Sequence, residues 1–126
     1  MKTRTTTAEV LVLGCALVVT WDAVAAEKFK RLSGSQIRAR FSGMEMTDEV
    51  HWREAYKRDG SFNSRGMGRM TTGKWLVQGD ELCVDLGPET NGGCYEVWVS
   101  GKAVELRPTG LGLPLQGVLQ RPNNPD

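Results

Sequence analysis

The sequence predicts a small, mainly β domain, either an antiparallel meander or a partly closed small barrel of six to seven strands, with one short N-terminal helix. After residue 43, short runs rich in Val, Trp and Tyr alternate with turn residues at a spacing of about ten, which is typical of an antiparallel meander. Before that point, one segment carries the start and stop signals of a helix. The predicted strands are Val50–Lys57, Ser61–Arg69, Gly73–Gln78, Glu81–Leu86, Cys94–Val99, Ala103–Arg107 and Leu115–Gln120.

The predicted helix spans Gly34–Ser42. Ser33 is followed three residues later by Gln36, which is the spacing of a capping box, in which two backbone N–H groups are satisfied reciprocally. Ile37 and Phe41 are four residues apart and therefore share one face of the helix. We expect this face to pack against the sheet.

The turns between the predicted strands contain Gly, Asp or Ser. These residues tolerate positive φ or accept local hydrogen bonds, as tight hairpins require. Ahead of the first predicted strand, Glu45, Asp48 and Glu49 form an acidic segment that we expect to be a solvated loop. The predicted turns are Arg58-Asp59-Gly60, Gly79-Asp80 and Ser100-Gly101-Lys102.

The N-terminal segment has the three parts of a cleavable secretory signal. Lys2 and Arg4 are basic, Val10–Thr20 is an apolar run, and small residues then allow cleavage after Ala25 or Ala26. The apolar run is well short of the roughly 20 residues that a membrane-spanning helix needs. We therefore predict a signal peptide at residues 1–26 and a single β domain at 27–126, ordered over about 32–120. The protein would be periplasmic or secreted, with no membrane span after cleavage.

A lipid anchor is the alternative to simple export. Val12-Leu13-Gly14-Cys15 loosely resembles a lipobox, in which the cysteine is lipidated and becomes the N-terminus. Leu13 is bulkier than usual at its position, and the apolar run continues past Cys15. These departures favour removal of Cys15 with the signal.

Charge and size limit the possible functions. The formal net charge is +1, and the predicted signal carries two basic and two acidic residues, so the mature chain keeps this balance. A nucleic-acid-binding protein would show a basic excess, so we predict no nucleic-acid partner. About 100 residues form one domain with a modest core, and domains of this size in oxidising compartments often contain a disulfide.

Cys83 and Cys94 are predicted to form that disulfide across one hairpin. Facing cysteines would set a register that places Leu82 opposite Tyr95. The closed loop is short, and the chain-entropy model gives a stabilisation of about 3 kcal/mol. The spacing is too wide for a C-x-x-C redox motif, so we interpret the bond as structural. One face would then carry Leu82, Val84, Tyr95, Val97 and Val99, and the other Cys83, Asp85, Cys94, Glu96 and Trp98.

The second of these faces is the candidate contact surface. It carries Trp98 together with Glu96 and Asp85. An exposed aromatic residue on a polar face is typical of binding sites. The competing interpretation is that the tryptophans pack in the core or at its rim.

A soft-metal site is an alternative. Met44 and Met46 lie shortly before His51, and thioether sulfur selects Cu(I) and Ag(I). The three side chains could act as ligands around the entry of a strand, as in a copper or silver carrier. Methionine also fills irregular gaps in cores, which is the competing interpretation.

No catalytic residue is predicted. His51 is the single histidine of the chain, and no G-x-S-x-G or H-E-x-x-H motif is present. A small hydrolase is a second alternative. Its triad would need a serine and a carboxylate beside His51. No cofactor is predicted. The residues available for such a triad are Ser61, Ser64, Asp59 and Glu54.

Two stretches resemble a known group of proteins. Gly73–Cys83 has the pattern G-x-W-x-V-x-G-D-x-L-C, and Cys94–Val97 reads C-Y-x-V. With the L-S-G-x-x-I of Leu32–Ile37, they resemble small secreted alphaproteobacterial proteins of unknown function over roughly residues 32–107. The resemblance implies a periplasmic location, a β meander and a cysteine pair, and it supplies no catalytic residue. The expected function is a non-catalytic binding or accessory role toward a protein, an envelope component or a small ligand.

Overall fold

The computed structural model of the chain describes residues 28–88 and 92–123. The predicted signal at 1–26 lies outside the described residues, so its cleavage and the lipid-anchor alternative stay predictions. Nine strands and one helix make up the described part: β1 (Lys30–Arg31), α1 (Gly34–Phe41), β2 (Met44–Thr47), β3 (Trp52–Tyr56), β4 (Ser61–Gly66), β5 (Arg69–Gln78), β6 (Glu81–Asp85), β7 (Gly93–Ser100), β8 (Ala103–Pro108) and β9 (Leu115–Gln120).

Strands β2 to β9 form a closed antiparallel barrel. Each pairs with the next along the chain, and β9 returns to pair with β2. At this seam, Met46 lies opposite Glu54 on one side and Leu119 on the other. The prediction of a mainly β domain with one short helix is confirmed, whereas the strand count is wrong because the barrel has eight strands and β1 adds a ninth.

The strands that the sequence did not indicate are β1 and β2. The sequence of β2 is Met-Glu-Met-Thr, which has one β-branched residue and no aromatic one. This segment is a strand because it pairs on both sides, with β3 and with β9. The expectation of a solvated loop is therefore wrong for Glu45, which is only 9% exposed.

The predicted boundary between two strands was also misplaced. The sequence suggested that a strand continues to residue 69 and the next begins at 73. The structure instead turns at Met67 and Gly68, both with positive φ (50° and 75°), as a two-residue type I′ hairpin requires. Strand β5 therefore starts at Arg69. Met67 is a poor sequence signal for positive φ, and 93% of it is exposed, so packing does not hold it there.

The barrel interior is filled by side chains, as expected for eight strands. Tyr56 lies at its centre and makes edge-to-face contacts with Phe41, Phe62 and Trp75, with ring centroids 5.0, 5.3 and 5.8 Å away. The buried core consists of Leu32, Ile37, Phe41, Met46, Tyr56, Phe62, Leu82, Val97, Val99, Val104 and Leu106.

Helix α1 contributes Ile37 and Phe41 to this core, both with no exposed surface. The predicted capping box is confirmed. The Ser33 hydroxyl accepts a hydrogen bond from the backbone N–H of Gln36 at 3.4 Å, and the Gln36 side chain accepts one from the backbone N–H of Ser33 at 2.9 Å. The helix ends at Phe41, one residue earlier than predicted.

Candidate functional site

The disulfide between Cys83 and Cys94 is present, with an S–S distance of 2.03 Å. It joins β6 to β7, and Leu82 lies opposite Tyr95 as the predicted register requires. The Glu81 carboxylate and the two sulfur atoms lie within 4.8 Å of one another. Because both sulfurs belong to the disulfide, neither is available to a metal as a thiolate.

The hairpin of β6 and β7 has two chemically different faces, which agrees with the alternation in its sequence. Leu82 and Val97 have no exposed surface and point into the barrel. Trp98 lies between two buried valines on β7 and is itself half-buried, so its side chain lies on the outside. The outer side of β7 and β8 is thus where a partner could reach the aromatic ring.

Trp98 is held in a polar cluster on this outer side. The guanidinium carbon of Arg107 lies 4.0 Å from the centroid of the Trp98 ring, which is a cation–π contact. Arg107 Nε donates to the Glu105 carboxylate at 2.6 Å, and Gln116 Nε2 donates to its other oxygen at 2.9 Å. These two hydrogen bonds fix the arginine over the indole ring.

The same hydrogen bonds favour the ionised form of the Glu105 carboxyl group. The bond from Arg107 lowers the pKa of the Glu105 carboxyl, and the bond from Gln116 and the positive charge of Arg107 add to this effect, while partial burial opposes it. Glu105 therefore stays a carboxylate, and the Arg107 side chain keeps its anionic partner.

Glu96 lies on the same outer side and forms an ion pair with Arg31 of β1, at 3.3 Å. Arg31 is directly opposite Trp98 in the strand register. The indole Nε1 of Trp98 is buried and has no hydrogen-bond acceptor within residues 28–88 and 92–123. We call Trp98, Arg107, Glu105, Glu96 and Arg31 the Trp98 surface.

Asp85, the third predicted surface residue, lies apart from the other two. Glu81 is opposite Glu96 in the register, and Asp85 is at the other end of β6. Four residues of strand correspond to about 13 Å. Asp85 is exposed, and its side chain accepts a hydrogen bond from the backbone N–H of Gly87 at 2.9 Å. The structure thus brings Trp98 and Glu96 together and leaves Asp85 beyond the disulfide.

The predicted metal ligands have different environments. Met44 and Met46 both lie in β2, and Met46 has no exposed surface. His51 is in the β2–β3 loop with 73% of its side chain exposed, and its Nδ1 lies 2.8 Å from the carboxylate of Asp48. Nothing in this arrangement favours a three-ligand site, and metal binding stays a prediction from the sequence.

Asp48 organises the β2–β3 loop. One of its oxygens accepts hydrogen bonds from three successive backbone N–H groups, at 2.7–3.0 Å. Partial burial acts to raise the pKa of Asp48, but the bonds from Trp52, His51 and Val50 outweigh it and hold this pKa well below its ordinary value. His51 is therefore oriented by an aspartate that serves as a loop cap.

The structure does not assemble a triad from the predicted candidates. The Ser61 hydroxyl donates to Asp59 at 2.6 Å, and within the described part of the chain no serine hydroxyl is hydrogen-bonded to His51. Ser64 lies opposite Glu54 in the register of β3 and β4. A nucleophile activated by a base needs a direct hydrogen bond of about 2.6–3.2 Å, which His51 does not make to a serine here.

Glu54, which the sequence offered only as a possible triad carboxylate, is a buried acid in the structure. The Glu54 side chain points into the barrel and accepts a hydrogen bond from the Tyr56 hydroxyl at 2.8 Å. Burial raises the pKa of Glu54, and the bond from Tyr56 offsets part of this rise. The period-two pattern of β3 was the available signal, because Glu54 lies between Trp52 and Tyr56 on the inward face.

Two grooves lie on the outside of the barrel. One, the side groove, has a volume of about 790 Å³ and runs over β2, β3 and β4. It contains Arg53, Arg58, Arg65 and Lys57 together with the acids Glu45 and Asp59. The other, the helix-side groove, has a volume of about 750 Å³ and lies between β1 and α1.

Comparison with known protein families, with curated proteins and with solved structures found no match to this chain. In the part of the chain that the structure describes, no helix has the length and apolar character that crossing a membrane requires.

Proposed function

We propose that this protein is a small exported, non-catalytic binding or accessory protein that contacts a partner protein through the Trp98 surface. The observation that carries the proposal is the stack of Arg107 on Trp98 at 4.0 Å, on the outside of a barrel whose interior is already filled. Trp and Arg are the residue types that dominate the energetic centres of protein interfaces.

The geometry of the cluster supports a contact role because its side chains are held in place before any partner arrives. Arg107 is bonded to Glu105, and Glu105 is bonded to Gln116. Ordering a long side chain on binding costs about 0.5–1.5 kcal/mol, and a preformed cluster avoids most of that cost. The surface also carries both signs of charge, which favours a partner with complementary polar groups over a polyanion.

The indole N–H of Trp98 gives a second reason. A buried donor without an acceptor costs about 1–3 kcal/mol, and Trp98 Nε1 is buried and has no acceptor in the part of the chain that the structure describes. An acceptor that a partner brings to this edge of the ring would remove the cost. Binding would thus complete a hydrogen bond that the described residues do not provide.

Export is supported by the predicted signal peptide and by the disulfide, since disulfides persist in oxidising compartments. A non-catalytic role is supported by the pairing of His51 with Asp48 in the β2–β3 loop and of Ser61 with Asp59 at the start of β4.

The test is site-specific photocrosslinking in the native cell followed by affinity measurement. A photoreactive phenylalanine analogue at position 98 should crosslink one partner protein, identified by mass spectrometry. The same analogue at Leu76, which is 47% exposed on β5, serves as the matched control position. Purified partner should then bind Trp98→Ala about 30-fold or more weakly than wild type, the loss expected for an interface centre.

Retained affinity in Trp98→Ala, with far-UV circular dichroism and melting temperature unchanged, would move the contact to another part of the surface. Arg107→Ala gives a second readout, because it removes the stacked cation and leaves the indole in place. Leu76→Ala should bind like wild type, and equal losses in all three variants would indicate a general effect on the fold.

A further inference from the structure

We infer that the helix-side groove is a second binding site, for a compact anionic ligand that carries two or more phosphate or carboxylate groups. The groove lies between β1, α1 and the turn after β7. Its volume of about 750 Å³ is in the range of small-molecule sites. Its walls and floor are formed by Lys28, Lys30, Arg31, Leu32, Gln36, Ala39, Arg40, Val99, Ser100 and Gly101.

The register of β1 sets Arg31 apart from the other cations of the groove. Lys30 lies opposite Val99, and Arg31 lies opposite Trp98. Val99 is on the buried side of β7 and Trp98 is on the outer side, so Arg31 turns outward to Glu96. Lys28 and Lys30 line the groove together with Leu32, whose side chain belongs to the core.

Four cations line this groove; Arg31 pairs with Glu96, and the other three have no acidic partner among the described residues. Lys28 and Lys30 stand on the β1 wall, and Arg40 stands on the α1 wall. Within residues 28–88 and 92–123, the lining contains no Asp or Glu, and no carboxylate forms an ion pair with any of these three. The side groove differs, because Glu45 and Asp59 line it beside its cations, and Glu45 pairs with Arg53.

Uncompensated like charges on facing walls repel each other, and an anion between them would turn the repulsion into attraction. The floor strengthens this effect. Leu32 and Val99 are each 7% exposed and form an apolar base, near which the effective dielectric constant is lower than in water.

The types of cation indicate the kind of anion. Arg40 offers a planar fork that binds phosphate or carboxylate oxygens in pairs, and the two lysines act as point charges on the opposite wall. A single small anion would contact one wall, whereas two or more anionic groups on one ligand would contact both. A compact polyanion therefore fits the groove best.

Calorimetric titration of the purified, disulfide-bonded protein with linear tripolyphosphate tests this inference. The variant K28Q/K30Q/R40Q removes the three groove cations. The control K57Q/R58Q/R65Q removes the same number of charges from the side groove. We expect wild type and control to bind alike, and the groove variant to bind at least about tenfold more weakly, because charge-assisted hydrogen bonds are lost.

Absence of tripolyphosphate binding to wild type, or equal weakening in both triple variants, would overturn the inference. So would binding confined to phosphatidylglycerol vesicles, because the ligand would then be a membrane surface and not a compact anion. Trp98→Ala should bind tripolyphosphate like wild type, so failure of the partner contact and failure of the anion site can be told apart.

Discussion

Glu54 is an ionisable residue that the fold buries, which makes its charged form unfavourable. Its carboxyl group lies inside the barrel and accepts a hydrogen bond from Tyr56, which is itself fully buried. Burial disfavours the charged form of the carboxyl group, so the pKa of Glu54 is raised. Burial also raises the pKa of the Tyr56 hydroxyl, and the nearby Glu54 charge adds to that rise, so this hydroxyl stays a donor.

The raised pKa predicts the pH dependence of stability. The folded state holds the Glu54 proton at pH values where the unfolded chain has already released it, so this group's contribution to stability is lost as pH rises through the folded pKa. Glu54→Gln carries no charge, and its amide oxygen can still accept from Tyr56. The free energy of unfolding of wild type, relative to Glu54→Gln, should therefore fall as pH rises above 4.5, the ordinary pKa of the group.

Urea unfolding of both proteins between pH 4 and pH 8 measures this difference. A constant difference in the free energy of unfolding across this pH range would show that burial does not disfavour the charged form of Glu54. Glu54→Leu provides a separate readout, because it leaves the Tyr56 hydroxyl without an acceptor and should be less stable than Glu54→Gln by about 1–3 kcal/mol at every pH.

At the scale of elements, α1 depends on the β5–β6 turn for its start. The backbone N–H of Gly34, at the first helical position, donates to the Asp80 carboxylate at 2.8 Å. An acidic group at this end also interacts favourably with the helix dipole. A Cβ atom at Gly34 would overlap the carbonyl oxygen of Gly79, so only glycine allows this close approach.

This contact predicts that Gly34→Ala lowers the free energy of unfolding, which is the opposite of the usual effect of this substitution in a helix. Gly→Ala in a helix normally stabilises by up to about 1 kcal/mol. At Gly34 the methyl group would push the helix away from the turn, and we expect a net loss of about 1–3 kcal/mol in the free energy of unfolding. Chemical denaturation measures this loss. The control is Ser35→Ala at the exposed neighbouring position, and its free energy of unfolding should lie within about 0.5 kcal/mol of the wild-type value. A Gly34→Ala protein as stable as wild type would contradict the observed docking of α1.

At the scale of the whole molecule, closure of the barrel leaves no free edge between β2 and β9. Glu45 and Gln120 meet at the closing seam, where the Gln120 amide donates to the Glu45 carboxylate at 3.0 Å. Strand β1 joins β7 at Val99 and Trp98, beyond the Glu96 position at which pairing with β6 ends. A closed barrel protects backbone groups that an open sheet would present to other chains.

Intact-mass measurement of the protein purified from its native host tests the whole-molecule prediction. The mass should correspond to a chain that begins at Glu27, or at Ala26 if cleavage follows Ala25, and should be two hydrogens below the reduced value because of the disulfide. Reduction should restore the two hydrogens. An uncleaved N-terminus, or a diacylglyceryl group on Cys15, would contradict the predicted processing.

Short-range patterns in the sequence were sufficient for α1 and for the β6–β7 hairpin. Ser33 and Gln36 are three residues apart and form the capping box wherever the helix lies. Cys83 and Cys94 are eleven residues apart, and their register agrees with the hydrophobic alternation around them. In both cases the interacting groups are close along the chain, so their spacing alone specifies the structure.

Only the tertiary structure decided the closure of the barrel, the burial of Glu45 and the composition of the two grooves. The seam joins Glu45 to Gln120, 75 positions apart, and no local pattern marks β2 as a strand. The helix-side groove likewise combines Lys28 and Lys30 of the N-terminal segment with Arg40 of the helix. The physical reason is that pairing and charge between distant residues depend on where the strands come together, whereas turns and caps depend on neighbours in the chain.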